Sequence, residues 1–142
     1  MNMIQVTKIF RFETAHALHG YNGACRHVHG HSYQLHVTVR AEEPESYFPA
    51  PGILIDFKDL KRMVNEAVVN RLDHALVVSS AYLQANPDLP SEENVLVMDA
   101  EPSAENLLLF IRNALRPQLP SGISLAALKL FETADSYAEW VL

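Results

Sequence analysis

Cysteine is almost absent from this sequence: a single residue, Cys25, in 142. A lone thiol cannot close an internal disulfide, so a reducing, cytoplasmic setting is expected. No run approaches the roughly 18 consecutive apolar residues that would span a bilayer, which excludes a helical membrane anchor. Residues 1–8, Met1-Asn2-Met3-Ile4-Gln5-Val6-Thr7-Lys8, alternate apolar and polar positions and read as the opening of a strand rather than as a secretory leader. Positive charge is in deficit: 11 Lys and Arg stand against 17 Asp and Glu, a net charge of −6. Nucleic acid and anionic membrane surfaces both favour a basic face, so neither is an expected partner. A small anion captured by local groups stays compatible with this balance. Repeats, low-complexity tracts and Gly/Ser linkers are missing too, and residues 1–142 read as one domain, long enough to bury a full core.

What is present alternates in character along the chain. Residues 4–14 and 31–40 read as strands by two-residue periodicity; in the second, Tyr33, Leu35, Val37 and Val39 share a face with His31. After a Pro-containing loop, Asp56 is a good helix cap, and Phe57, Leu60, Val64, Ala67 and Val68 recur at helical spacing to about Leu72. A second helix opens at Pro102-Ser103, with Leu107, Leu108, Phe110, Ile111, Ala114 and Leu115 on its apolar side. Strands at about 123–132 and 136–142, joined at Thr133-Ala134-Asp135, close the chain. Residues 75–101 carry the weakest pattern: Val95-Leu96-Val97-Met98 could form an extra strand, and 79–93 reads as loop with a short helical turn. The order ββααββ predicts an α+β fold, an antiparallel four-stranded sheet with two helices on one face.

Five of the seven histidines fall between positions 16 and 31: His16, His19, His27, His29 and His31. Residues i and i+2 of a strand project to the same side, so His29 and His31 can chelate one ion without distorting the backbone. His16, near the end of the preceding strand, offers a third imidazole. Three histidines with an open fourth position are a common catalytic zinc set. Spacing alone leaves His27, also two residues from His29, as another candidate, and leaves open that these are polar surface histidines. Cys25 lies four residues before His29. Beside a metal its thiol becomes a useful base or nucleophile; the alternatives are a fourth zinc ligand, which would make the site closed and structural, or a buried inert side chain.

Several motifs occur in order: Phe12-x-x-Ala15-His16, Cys25-x-x-x-His29-Gly30-His31-Ser32-Tyr33, Asp56-Phe57-x-x-Leu60, Leu72-Asp73-His74, Pro102-Ser103-x-Glu105-Asn106 and Glu132-Thr133. The ordered set covers nearly the whole chain and resembles the 6-pyruvoyltetrahydropterin synthase family. The three residues between the cysteine and His-Gly-His are most similar to its bacterial branch, which makes 6-carboxy-5,6,7,8-tetrahydropterin for queuosine biosynthesis. The resemblance implies a tunnelling-type fold and zinc held by His16, His29 and His31. It implies Cys25, Asp73 and His74 as the proton-transfer residues and Glu132 as the anchor of the pterin ring, with further substrate contacts near Ser103 and Glu105. It also implies a pterin triphosphate substrate and a homohexamer with sites between subunits, so that Cys25 and His74 may be drawn from different chains. Without the resemblance, Asp73-His74 could be a helix-end turn and Glu132 a solvated strand-end residue.

The reaction implied turns 7,8-dihydroneopterin triphosphate into the carboxylated tetrahydropterin, acetaldehyde and triphosphate. The family's other activity, triphosphate elimination to 6-pyruvoyltetrahydropterin, is the near alternative, and a non-catalytic zinc- or pterin-binding protein the distant one. Two features depart from the family pattern. Pro-Thr before the second helix is Pro-Ser here, which keeps the hydroxyl. The 27 residues between His74 and Pro102 exceed the compact bacterial spacing, marking an insertion at about 79–99.

Overall fold

The computed structural model describes residues 1–89 and 94–142. Long alternating segments become long strands: β1 (Met3–His16) and β2 (His29–Glu42) pair antiparallel without a break from Met3 opposite Glu42 to His16 opposite His29. β5 (Ser124–Thr133) pairs with β2, and β6 (Ser136–Val141) with β5, both antiparallel. Between these hairpins lie helix α1 (Phe57–Val64), strand β3 (Ala75–Ser79), helix α2 (Ser80–Ala85), strand β4 (Val95–Met98) and helix α3 (Ala104–Leu115).

The expected sheet of four antiparallel strands is corrected to a mixed sheet of six, in the order β4-β3-β1-β2-β5-β6. The four expected strands are there and antiparallel; β3 runs parallel to the end of β1, at Thr14–His16, and β4 runs parallel to β3. β3 escaped detection for a physical reason. Val77 belongs to the main core, while Val78, on the opposite face, packs with Ala17 and Tyr82 of α2. A strand covered on both sides shows a continuous apolar run instead of alternation, and five residues are too few to tell such a run from a helix. The insertion at 79–99 therefore contributes α2 and β4; its residues 90–93, like the end of the loop expected over 79–93, lie outside the described residues.

α1 is capped by Asp56, whose carboxylate accepts the Lys58 amide at 2.8 Å. It continues through a π-helical stretch (Asn65–Val69) into a last turn (Asn70–Leu72). Leu60, Val64, Val68 and Leu72 are all fully buried. Their spacing of four overshoots the 3.6-residue turn, and the wider π turn, with hydrogen bonds reaching five residues, absorbs the drift. The core formed by α1, α3 and the helix-covered face of the sheet holds Leu35, Val37, Val39, Leu128 and Leu130, each without measurable exposure. Among the described residues no helix is long and apolar enough to cross a membrane.

Candidate metal centre

Strand alternation carries the core face to the sheet's end, where its composition changes. On β1 the helix-side positions run Phe10, Phe12, Thr14, His16, and on β2 they run Leu35, Tyr33, His31, His29. The register sets His16 opposite His29 and Thr14 opposite His31. The ligand nitrogens of His16, His29 and His31 consequently lie within 4.8 Å of one another. The rings meet edge to face, with centroids 4.6, 5.1 and 4.9 Å apart. Gly30, between the two β2 histidines, lies against β1: a Cβ there would stand 3.5 Å from the Thr14 carbonyl oxygen.

Hydrogen bonds set the proton positions. His16 Nδ1–H donates to the Pro102 carbonyl at 2.7 Å, and His29 Nδ1–H donates to the His27 carbonyl at 2.7 Å. Because a carbonyl only accepts, each neutral ring is left with a bare Nε2, and these two atoms face each other at 3.0 Å. His31 Nε2 is buried with no hydrogen-bond partner; the nearest carboxylate oxygen, Oε2 of Glu132, is 4.0 Å away. Two opposed lone pairs beside a third orphaned nitrogen call for a positive centre between them. A proton is disfavoured at His16, whose pKa is lowered first by burial and further by the neighbouring His29 and His31, against the raising effects of the Pro102 carbonyl and Glu132. A metal cation fits the donor set: neutral imidazoles, each of two held by an outer carbonyl as zinc-binding histidines usually are.

Around these rings the structure places the other candidates at unequal distances. Glu132, half-buried on β5, stands at the rim beside His31. Cys25 sits half-buried in the one-turn 3₁₀ helix Ala24–Arg26 of the loop joining β1 to β2, and its carbonyl accepts the Leu18 amide at 2.8 Å. The Tyr33 phenol is pushed far above its ordinary range, first by burial and then by the charges of Glu132 and Cys25, so it stays a neutral donor in the same neighbourhood. His27 turns elsewhere: its ring accepts from Arg26 Nε at 3.3 Å, and only its carbonyl serves the centre.

Asp73 and His74 are not brought to the three rings within this chain, and among the described residues no hydrogen bond or ion pair joins the two groups. They occupy the junction between the helix end and β3. Asp73 Oδ1 accepts the Glu13 amide at 2.9 Å and lies 3.7 Å from His74 Nε2. The His74 side chain is 80% exposed, and its backbone is in the left-handed region, φ 63°. That conformation costs a non-glycine residue about 1–2 kcal/mol. It is held because the His74 amide donates to Glu13 O at 2.6 Å and Asn94 Nδ2 donates to the His74 carbonyl at 2.8 Å. Strain maintained this way clusters at functional positions. Ser103 spends its hydroxyl as the α3 cap, accepting the Asn106 amide at 3.2 Å, and Glu105 is exposed in the first turn.

Three participants escaped sequence reasoning. The Pro102 carbonyl leaves no signature, since any residue carries one. Tyr33 was legible as the next same-face position after His29 and His31, though only as core. Glu101, whose Oε1 accepts the His19 amide at 2.6 Å, lies 82 residues away in sequence.

Comparison with known proteins identifies the family. The family described as 6-pyruvoyl tetrahydropterin synthase matches residues 5–141. A 6-carboxy-5,6,7,8-tetrahydropterin synthase of Haemophilus influenzae is 30% identical, over 97% of this chain and 99% of that protein. One from Rickettsia bellii is 27% identical, over 96% of this chain and 99% of that protein. The solved 6-pyruvoyl tetrahydropterin synthase of Caenorhabditis elegans superposes with a TM-score of 0.72 over 100% of this chain and 97% of that one; at 20% identity the likeness is one of fold.

Proposed function

The chain belongs to the 6-pyruvoyl tetrahydropterin synthase family, and from that premise we propose that it is a zinc-dependent lyase. It converts 7,8-dihydroneopterin triphosphate into 6-carboxy-5,6,7,8-tetrahydropterin, acetaldehyde and triphosphate. The observation that carries the reading is the convergence of three imidazole nitrogens, two with their outer N–H groups tied to carbonyls, beside a half-buried carboxylate. The names of the full-length bacterial relatives support the choice of product.

His16, His29 and His31 would hold the ion, which when bound would supply Lewis acidity toward substrate oxygens and offset negative charge on the substrate. Glu132 accepts paired N–H groups from the amidine-like edge of the pterin, a planar and specific contact. Cys25, as thiolate, takes a proton from the substrate side chain, and His74, oriented by Asp73, acts as the second acid/base. The ring is reduced at the expense of the side chain, so no separate redox cofactor takes part. Ser103 and Glu105 lie at the edge of this set, Ser103 acting through its cap and Glu105 as a further substrate contact.

The active form is a homo-oligomer, a hexamer in which copies share the sites. The separation of Asp73 and His74 from the three rings within one chain supports this. So do two open sheet edges: among the described residues β6 has no outer partner, and β3 covers β1 only at Thr14–His16, leaving residues 3–12 unpaired on that side. Exposed edges of that length are normally paired or blocked.

Mass spectrometry of the products formed from 7,8-dihydroneopterin triphosphate tests the reading. Acetaldehyde and the carboxylated tetrahydropterin are expected. A 6-pyruvoyl product with triphosphate and no acetaldehyde would assign the family's other reaction. No turnover by zinc-replete protein would leave a binding protein.

A further inference from the structure

We infer that Glu101 is a positioning residue for Cys25, its carboxylate clamping the β1–β2 loop against the segment that orients His16. The inference rests on the catalytic role proposed for Cys25, and its physical part can be tested without it. The loop of residues 17–28 carries Cys25. Among the described residues, only one side-chain hydrogen bond ties this loop to anything beyond itself and its flanking strands: Glu101 Oε1 accepting the His19 amide at 2.6 Å. The adjacent Leu18 amide donates to the Cys25 carbonyl at 2.8 Å, so the clamp acts one residue from the bond that fixes the cysteine's own backbone.

The clamp is anchored at its other end. The Glu101 carbonyl accepts the Ser103 amide at 2.8 Å and Asn106 Nδ2 at 2.9 Å, fixing the backbone of Glu101 to the start of α3. The next carbonyl, that of Pro102, accepts His16 Nδ1–H. One short segment therefore sets the orientation of a ring in the metal centre and the placement of the thiol loop. The two tasks use different atoms, a main-chain oxygen for the ring and a side-chain carboxylate for the loop. A bond from an amide to an ionised carboxylate is among the stronger hydrogen bonds, which suits a tether placed beyond Ala17, the loop residue packed against Val78 and Tyr82. Residues outside the reacting set act in this way, because a misplacement of about 1 Å can cost 10²-fold in rate.

Because Cys25 is the only thiol, alkylation reads its loop alone. The zinc-loaded protein is treated with iodoacetamide at one fixed alkaline pH for all variants, and the rate is followed by intact mass. Glu101→Ala should raise the rate about tenfold, the change in loop opening that follows loss of one charge-assisted hydrogen bond. Zinc content should be unchanged. Glu101→Gln, which retains an acceptor oxygen, should return the rate toward that of the unsubstituted protein. In turnover, kcat of Glu101→Ala should fall about tenfold with KM little changed. An unaltered alkylation rate in Glu101→Ala would overturn the clamp. So would loss of zinc in that variant, which would route the effect through Pro102 and His16, or a Glu101→Gln protein as reactive as Glu101→Ala. If the unsubstituted protein turns over no pterin, the alkylation series still decides the clamp, and only the proposed function fails.

Discussion

The two halves of one face of β2 differ sharply in chemistry. Along β2 the helix-side positions run His29, His31, Tyr33, Leu35, Val37, Val39. Leu35, Val37 and Val39 lie without exposure in the main apolar core. Two positions further along, two imidazoles point bare nitrogens at each other beside the partnerless Nε2 of a third. The backbone treats both halves alike: the same pleat and the same antiparallel register with β1 run throughout. The apolar half stabilises the fold, and the imidazole half holds polar atoms at a cost that only a cation offsets. Function has been placed where the sheet is already rigid and where the core can spare the contacts.

Substitutions in the two halves should therefore separate stability from metal binding. The largest effect is expected for His29→Ala: zinc should fall to well below one ion per chain and pterin turnover should be lost. The metal-free protein should unfold no earlier than its unsubstituted counterpart, because one of two facing lone pairs is gone. Leu35→Ala should do the reverse, costing about 2–5 kcal/mol in denaturant unfolding while any protein still folded binds zinc. Equal destabilisation by both, measured by urea unfolding of apo protein alongside zinc content, would erase the contrast. A smaller and narrower effect is expected for Cys25→Ala: full zinc, unchanged unfolding, and kcat lower by about 10²–10⁴, the range for loss of a general acid or base. If zinc left with the thiol, Cys25 would be a ligand and the centre a closed one.

How much of this was legible beforehand follows the same division. Alternation over ten or more residues revealed β1 and β2, two runs joined at the turn Thr133-Ala134-Asp135 gave β5 and β6, and caps at Asp56 and Ser103 marked two helix starts. His29 and His31 could be paired from their two-residue spacing and His16 offered as a third ligand from its place at the end of the preceding strand, while the choice against His27 came only from the family resemblance. The short strand β3 was hidden because its cover comes from both sides, Val77 to the main core and Val78 to α2. The Pro102 carbonyl and the Glu101 carboxylate could not be read because their roles exist only once segments 86 and 82 residues apart are brought together. His74 shows a third kind of limit. Its identity was legible, but its left-handed backbone depends on Asn94, which lies in the insertion.

The contrast sharpens last at His36, a histidine on the same strand but on the face away from the helices. Its Nε2 accepts Gln34 Nε2–H at 2.8 Å, so its ring, too, is held neutral, yet by an amide donor rather than a cation. Burial lowers its pKa, and the charges of Lys129 and Arg11 lower it further; Phe131 packs against it at 5.2 Å between ring centroids. With the folded-state pKa below the ordinary imidazole value of 6.5, the unfolded chain takes up the proton first as pH falls. Stability contributed by neutral His36 is thus complete above that value, declines as pH drops through it, and levels off once the folded form is protonated as well. His36→Gln should flatten this part of the stability-versus-pH curve of the apo protein as pH falls through the ordinary imidazole range. Zinc content should stay full. An unchanged slope would assign the acid sensitivity to the imidazoles of the metal centre, and a loss of zinc would mean that the two faces of β2 are coupled after all.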